Sequence, residues 1–175
     1  MKFITADFET YYDRQYSLSK ITTEEYIRSP LFEVIGVSVS VDEEPPVWFS
    51  GSMEDTAKWL SQFDWSNGML LAHNTMFDAA ILSWRFGIRP KALADTLSMA
   101  RAMHGVDAGG SLKALAMRYE IGMKGEEVVL LMDLYIFVVS LLFSVLQRLV
   151  FYLNNLRGRQ LLIVIRQLLK LVFLN

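Results

Sequence analysis

The chain has 175 residues, a formal net charge of −2, no cysteine and two histidines. That length suffices for one ordinary domain with a real core. The composition excludes disulfides and thiolate metal sites, argues against a zinc centre, and lacks the basic footprint of a module that grips nucleic acid by charge alone. An enzyme that holds nucleic acid through bound cations remains compatible with it.

Taken in chain order, residues 2–8 form a short β-type run and are expected to be a strand. The N-terminus has no charged segment followed by an apolar one, so it does not read as a signal peptide and a cytoplasmic setting is expected. Residues 11–19 have no period and read as loop. Thr22 to Ile27 reads as a capped helical turn, with Glu24 and Glu25 supporting its start and Pro30 stopping it. Phe32 to Val41 is the clearest strand signal, followed by a turn at 42–46 and a partner strand at Val47-Trp48-Phe49.

Residues 52–63 carry apolar side chains at roughly helical spacing, and Ser66-Asn67-Gly68 ends that stretch. Met69 to His73 reads as a short buried strand and Thr75 to Phe86 as a helix closed by Gly87 and Pro90. A further strand over 91–95, a helix over 96–104, a loop, an N-cap at Ser111 and a helix over 112–119 complete the pattern. Strands followed by strand–helix alternation predict an α/β layered domain.

After residue 127 the composition breaks. Residues 1–127 hold 18 acids and 12 bases, a net −6, whereas residues 128–175 hold one acid and five bases, a net +4. Of those last 48 residues, 33 are apolar. The expected organisation is therefore a domain over 1–127 and an atypical tail over 128–175. Three readings of the tail stand: out-of-frame translation, a membrane anchor over 128–146, or two helices packing on the domain. As an anchor, that stretch would contain Asp133 at a cost of about 2.5–3.5 kcal/mol if central.

Asp7-Phe8-Glu9 closes the first strand. Residues i and i+2 of a strand face one side, so Asp7 and Glu9 point together while Phe8 is buried behind them. Two such carboxylates repel, and an oxygen-preferring divalent cation relieves that; a solvated strand end is the alternative. Asp78 falls in the first turn of the 75–86 helix, with Asn74 capping or preceding it. An acid there also complements a helix N-terminus without further purpose.

Asp7-Phe8-Glu9-Thr10 together with Asn74-Thr75-Met76-Phe77-Asp78 resembles the first and second motifs of the DEDD (DnaQ-like) 3′→5′ exonuclease superfamily, which has an RNase H-like fold. Residues 7–39 and the Ala94 to Arg101 stretch look like the N-terminal proofreading exonuclease of phage and bacterial family A DNA polymerases. The resemblance covers residues 1 to about 127. It implies a mixed central sheet flanked by helices, here truncated at the C-terminal end. It implies that Asp7, Glu9 and Asp78 are metal ligands for Mg²⁺ or Mn²⁺, in a two-metal hydrolysis of phosphodiesters.

It further implies that Thr10 contacts the terminal nucleotide and that Asn74 orients substrate. Phe77 either shapes the pocket or packs in the core. Tyr11, Tyr12 and Tyr16 are candidates for base stacking. Asp95 reads as a helix cap. The implied partners are the 3′ end of single-stranded DNA and a polymerase domain normally in the same chain; no membrane partner is expected.

The family's third motif, an acid preceded by a Tyr or His, is not found. Val129 and Val128 stand four and five residues before Asp133, and His104 stands three before Asp107. No fourth ligand or general base is therefore named, and impaired activity is the expectation. The other functional readings are a non-catalytic nucleic-acid- or polymerase-binding domain of the same fold, and a small membrane-associated protein led by the tail.

Overall fold

The computed structural model describes residues 1–42 and 44–119. The expectations for the tail, Asp133 among them, lie outside the described residues. The protein is a mixed α/β chain with a five-stranded sheet in the order β3-β2-β1-β4-β5. Its strands are β1 (Phe3–Thr10), β2 (Val34–Val41), β3 (Val47–Phe49), β4 (Met69–Ala72) and β5 (Ala92–Asp95). Its helices are α1 (Thr23–Arg28), α2 (Met53–Leu60), α3 (Thr75–Phe86), α4 (Thr96–His104) and α5 (Leu112–Arg118). The described residues divide into two compact units, residues 1–70 with 76–91, and residues 71–75 with 92–119.

In the first unit β1 and β2 pair antiparallel, as do β2 and β3. The 32–41 run forms its strand only from Val34, and β1 runs on to Thr10 because its ladder with β2 continues that far. Glu9 pairs with Gly36 and Thr10 with Val34, so Ile35 is an extra residue and the bulge sits on β2. The alternation along β1 therefore continues unbroken. Ala6 and Phe8 lie opposite Val39 and Val37 on the core face, and all four are buried.

Two helices supply ring contacts on that face: Phe86 of α3 stacks on Phe8 with centroids 6.0 Å apart, and Trp59 of α2 stacks on Phe49 at 5.0 Å. α1 starts as its sequence predicts, with a full capping box between Thr22 and Glu25. α2 ends at Leu60, short of the expected residue 63. Trp65 turns back there and donates its indole N–H to the Leu60 carbonyl at 2.8 Å, beside the Phe63 backbone N–H that the same carbonyl accepts at 3.3 Å.

Tyr26 of α1 is the centre of an aromatic group. Its ring stacks on Tyr16 at 4.5 Å and meets Phe32 edge-on at 5.9 Å. In the second unit, α4 and α5 bury Met99, Ala100, Leu115 and Ala116. Ser111 caps α5 by accepting from the Ala114 N–H, as its position in the sequence suggests. Among the described residues no helix is long and apolar enough to cross a membrane.

Candidate functional site

Asp7 and Glu9 stand on the side of β1 away from Phe8, with their Cα atoms about 6.7 Å apart by strand geometry. Phe8 is 5% exposed, which fixes the register and turns both carboxylates off the core. Asp78 lies in the same unit, on the first turn of α3. It is buried, and its Oδ1 accepts a hydrogen bond from the Phe8 backbone N–H at 3.2 Å. The two motifs, 70 residues apart in sequence, thus meet at the residue between the two strand acids.

Among the described residues no three His, Cys, Asp or Glu side chains are grouped so as to hold a metal ion. The Asp7–Glu9 pair offers the hard oxygen donors that Mg²⁺ or Mn²⁺ takes, and such an ion is commonly held by one or two carboxylates with waters and substrate phosphate completing its shell. Asp78 accepts the Phe8 amide with one of its two carboxylate oxygens. The described residues therefore fit such a cation in donor chemistry.

Thr10 is buried, on the core side of β1, and its hydroxyl shares a 2.8 Å hydrogen bond with the Tyr26 hydroxyl. Phe77 is half-buried, with its ring 6.2 Å from that of Tyr26, so it belongs to the aromatic group. The three tyrosines after the strand divide clearly. Tyr16 is buried and donates its hydroxyl to the Tyr26 carbonyl at 2.6 Å, which makes it core. Tyr12 is exposed.

Tyr11 is also exposed on one side, stacks on Tyr16 at 6.3 Å and donates its hydroxyl to Asp13 at 3.1 Å. That bond to an anion pushes the Tyr11 hydroxyl pKa up. Asp13 itself accepts the Tyr16 and Gln15 backbone N–H groups, which hold it below the usual carboxylate range.

Asn74 belongs to the second unit. It has φ +68°, a left-handed conformation that asparagine tolerates. The acceptor at the start of α3 is Asp95, whose Oδ1 takes the Asn74 N–H at 2.8 Å and the Thr75 N–H at 3.2 Å. The same carboxylate caps α4, accepting from the Leu97 and Ser98 N–H groups and from the Ser98 hydroxyl. One buried acid therefore serves two helix N-termini, whereas the sequence suggests only the second. His73, next to it, shares a 3.0 Å hydrogen bond with the Thr96 hydroxyl. Burial lowers the His73 pKa, with the charge of Asp95 opposing.

Sequence reasoning misses Trp48 and Gly36. A Cβ placed on Gly36 would lie 2.1 Å from Trp48 Cζ2, so the indole occupies the space a side chain would fill. A glycine inside a strand run is the signal that marks such a close approach.

No protein-family model and no curated protein matches the chain. Several solved structures are similar in fold. NrnC of Brucella melitensis aligns with a TM-score of 0.57 at 14% identity, over 94% of this chain and 80% of that one. A structure of the same protein bound to pGG aligns at 0.54 and 16% identity, over 83% and 71%. A chain in the co-crystal of the yeast NOT1 MIF4G domain with CAF1 aligns at 0.56 and 12% identity, over 85% and 80%. At these identities the likeness is one of fold.

Proposed function

We propose that this chain is a nuclease-type domain of RNase H-like fold, acting on the 3′ end of single-stranded nucleic acid. We place its origin among the proofreading 3′→5′ exonucleases of DNA polymerases. One observation carries the reading: Asp7 and Glu9 share the outer face of β1, and Asp78 of α3 bonds the amide between them. The fold-level likeness to NrnC, seen in one structure with pGG, supports a nucleic-acid ligand.

In this reading Asp7, Glu9 and Asp78 would hold Mg²⁺ or Mn²⁺. When bound, such an ion activates water and offsets charge developing on the phosphate. The chain's own contribution is positional. β1 aims both carboxylates outward, Phe8 and Phe86 lock the strand's register, and Asp78 fixes α3 against it. Asn74 and Phe77 are assigned to the substrate side by motif, and the backbone of Thr10 to the terminal nucleotide.

The test is release of nucleotides from 3′-labelled single-stranded DNA in Mg²⁺ or Mn²⁺, compared with Asp7→Ala. Cation-dependent release lost in the variant supports the assignment; release unchanged by the substitution removes it. A second reading has its own observation. Among the described residues no three His, Cys, Asp or Glu side chains are grouped so as to hold a metal ion. A non-catalytic domain of the same fold, binding single strands without turnover, is consistent with that. It predicts oligonucleotide binding with no release in either cation.

A further inference from the structure

We infer that Trp48 is the platform on which a nucleobase of the single strand stacks beside the carboxylate pair; this rests on the function proposed above. Glu9 and Gly36 are cross-strand partners, and Asp7 pairs with Ser38, which in turn pairs with Trp48. Directly paired residues project to the same face of a sheet, with Cβ atoms about 4.5–5.5 Å apart. Asp7, Glu9 and Trp48 therefore share one face, with the Gly36 position directly opposite Glu9.

The indole lies over that glycine. The ideal Gly36 Cβ position is 2.1 Å from Trp48 Cζ2, 2.4 Å from Cη2 and 2.8 Å from Cε2. The benzo edge of the ring thus sits where the partner side chain of Glu9 would stand. Trp48 is 39% exposed, and its neighbour Phe49 faces the other way and packs on Trp59. An indole held at one edge and open on part of its surface, next to two carboxylates, suits a flat apolar ligand joined to a phosphate. A nucleobase has that chemistry, and stacking accepts any base because each has a π-face.

The experiment uses the full chain and a fluorescein-labelled oligothymidylate in Ca²⁺, which permits binding without turnover. The same oligomer carrying an abasic residue at each of its last positions in turn reports which base is stacked. An oligouridylate arm separates RNA from DNA as the source of that base. In the unmodified chain one abasic position is expected to weaken binding about 5- to 150-fold. In Trp48→Leu that discrimination should fall below about twofold, and Trp48→Phe should keep part of it.

Gly36→Ala leaves the indole in the chain but displaces it, so it should lose discrimination as well, and circular dichroism reports folding of each variant. Discrimination by Trp48→Leu or Gly36→Ala equal to that of the unmodified chain overturns the inference. If that result comes with Asp7-dependent release of nucleotides, the function stands and only the Trp48 assignment falls. No binding of either oligomer by the unmodified chain removes both.

Discussion

The backbone N–H of Phe8 donates to Asp78 Oδ1 at 3.2 Å, across 70 residues of sequence. This bond ties the first turn of α3 to β1 at the residue flanked by Asp7 and Glu9. Its acceptor is buried, so it is a structural joint as well as a neighbour of the outer carboxylates.

Asp78→Ala removes that acceptor and leaves the Phe8 amide buried without it. The expected loss is about 1–3 kcal/mol in a urea unfolding curve. Asp78→Asn keeps an oxygen able to accept and should lose less. Equal stability of all three proteins would show that the joint contributes nothing.

Asp95→Ala is expected to cost more, about 2–4 kcal/mol. The carboxylate accepts from Asn74, Thr75, Leu97 and Ser98, at two helix starts. Hydrogen exchange should speed up at all four amides together. Faster exchange at Leu97 and Ser98 alone would mean that α3 does not depend on Asp95.

His73 gives a pH dependence of definite sign. Burial sets its folded pKa below the usual imidazole value of about 6.5. As pH falls below that value the unfolded chain takes up the proton first, so the folded state loses stability. The contribution is present in full above about pH 6.5 and is lost as pH falls toward the folded pKa. Two-dimensional NMR of the imidazole should show a midpoint below 6.5. His73→Asn should lose less stability on acidification than the unmodified chain; a steeper loss in the variant would reverse the sign.

Gly36→Ala introduces a Cβ into the Trp48 ring position. The clash meets the far end of a partly exposed side chain, so the ring should move outward into solvent with little loss of stability. Acrylamide quenching of tryptophan emission should therefore increase. An unchanged quenching curve at unchanged stability would show that the ring does not rest on Gly36.

Much of the fold is legible in the sequence because its signals are local. The Thr22–Glu25 capping box, the Ser111 cap and the strand-then-helix order each rest on neighbours within a few residues. The hairpin of β2 and β3 is read from the β-branched run and the turn after it. What escapes is long-range. Asp95 is visible as a cap for α4, but its bonds to Asn74 and Thr75 cross 20 residues or more.

Thr10 looks like a site residue by motif, and only the Tyr26 contact shows that its hydroxyl is engaged in the core. Trp48 looks like an ordinary hairpin residue until Gly36 is found beneath it. Asp7 and Glu9 are read from strand alternation, and the bulge on β2 leaves that alternation intact.

The most direct measurement is the product pattern from 5′-labelled single-stranded DNA incubated with the chain in Mn²⁺. The expected result is a ladder shortened stepwise from the 3′ end, absent without the cation and absent in both Asp7→Ala and Glu9→Ala. A full-length oligomer in every lane, or a ladder that persists in the two variants, would contradict the assignment of Asp7 and Glu9 as cation ligands of a 3′→5′ exonuclease.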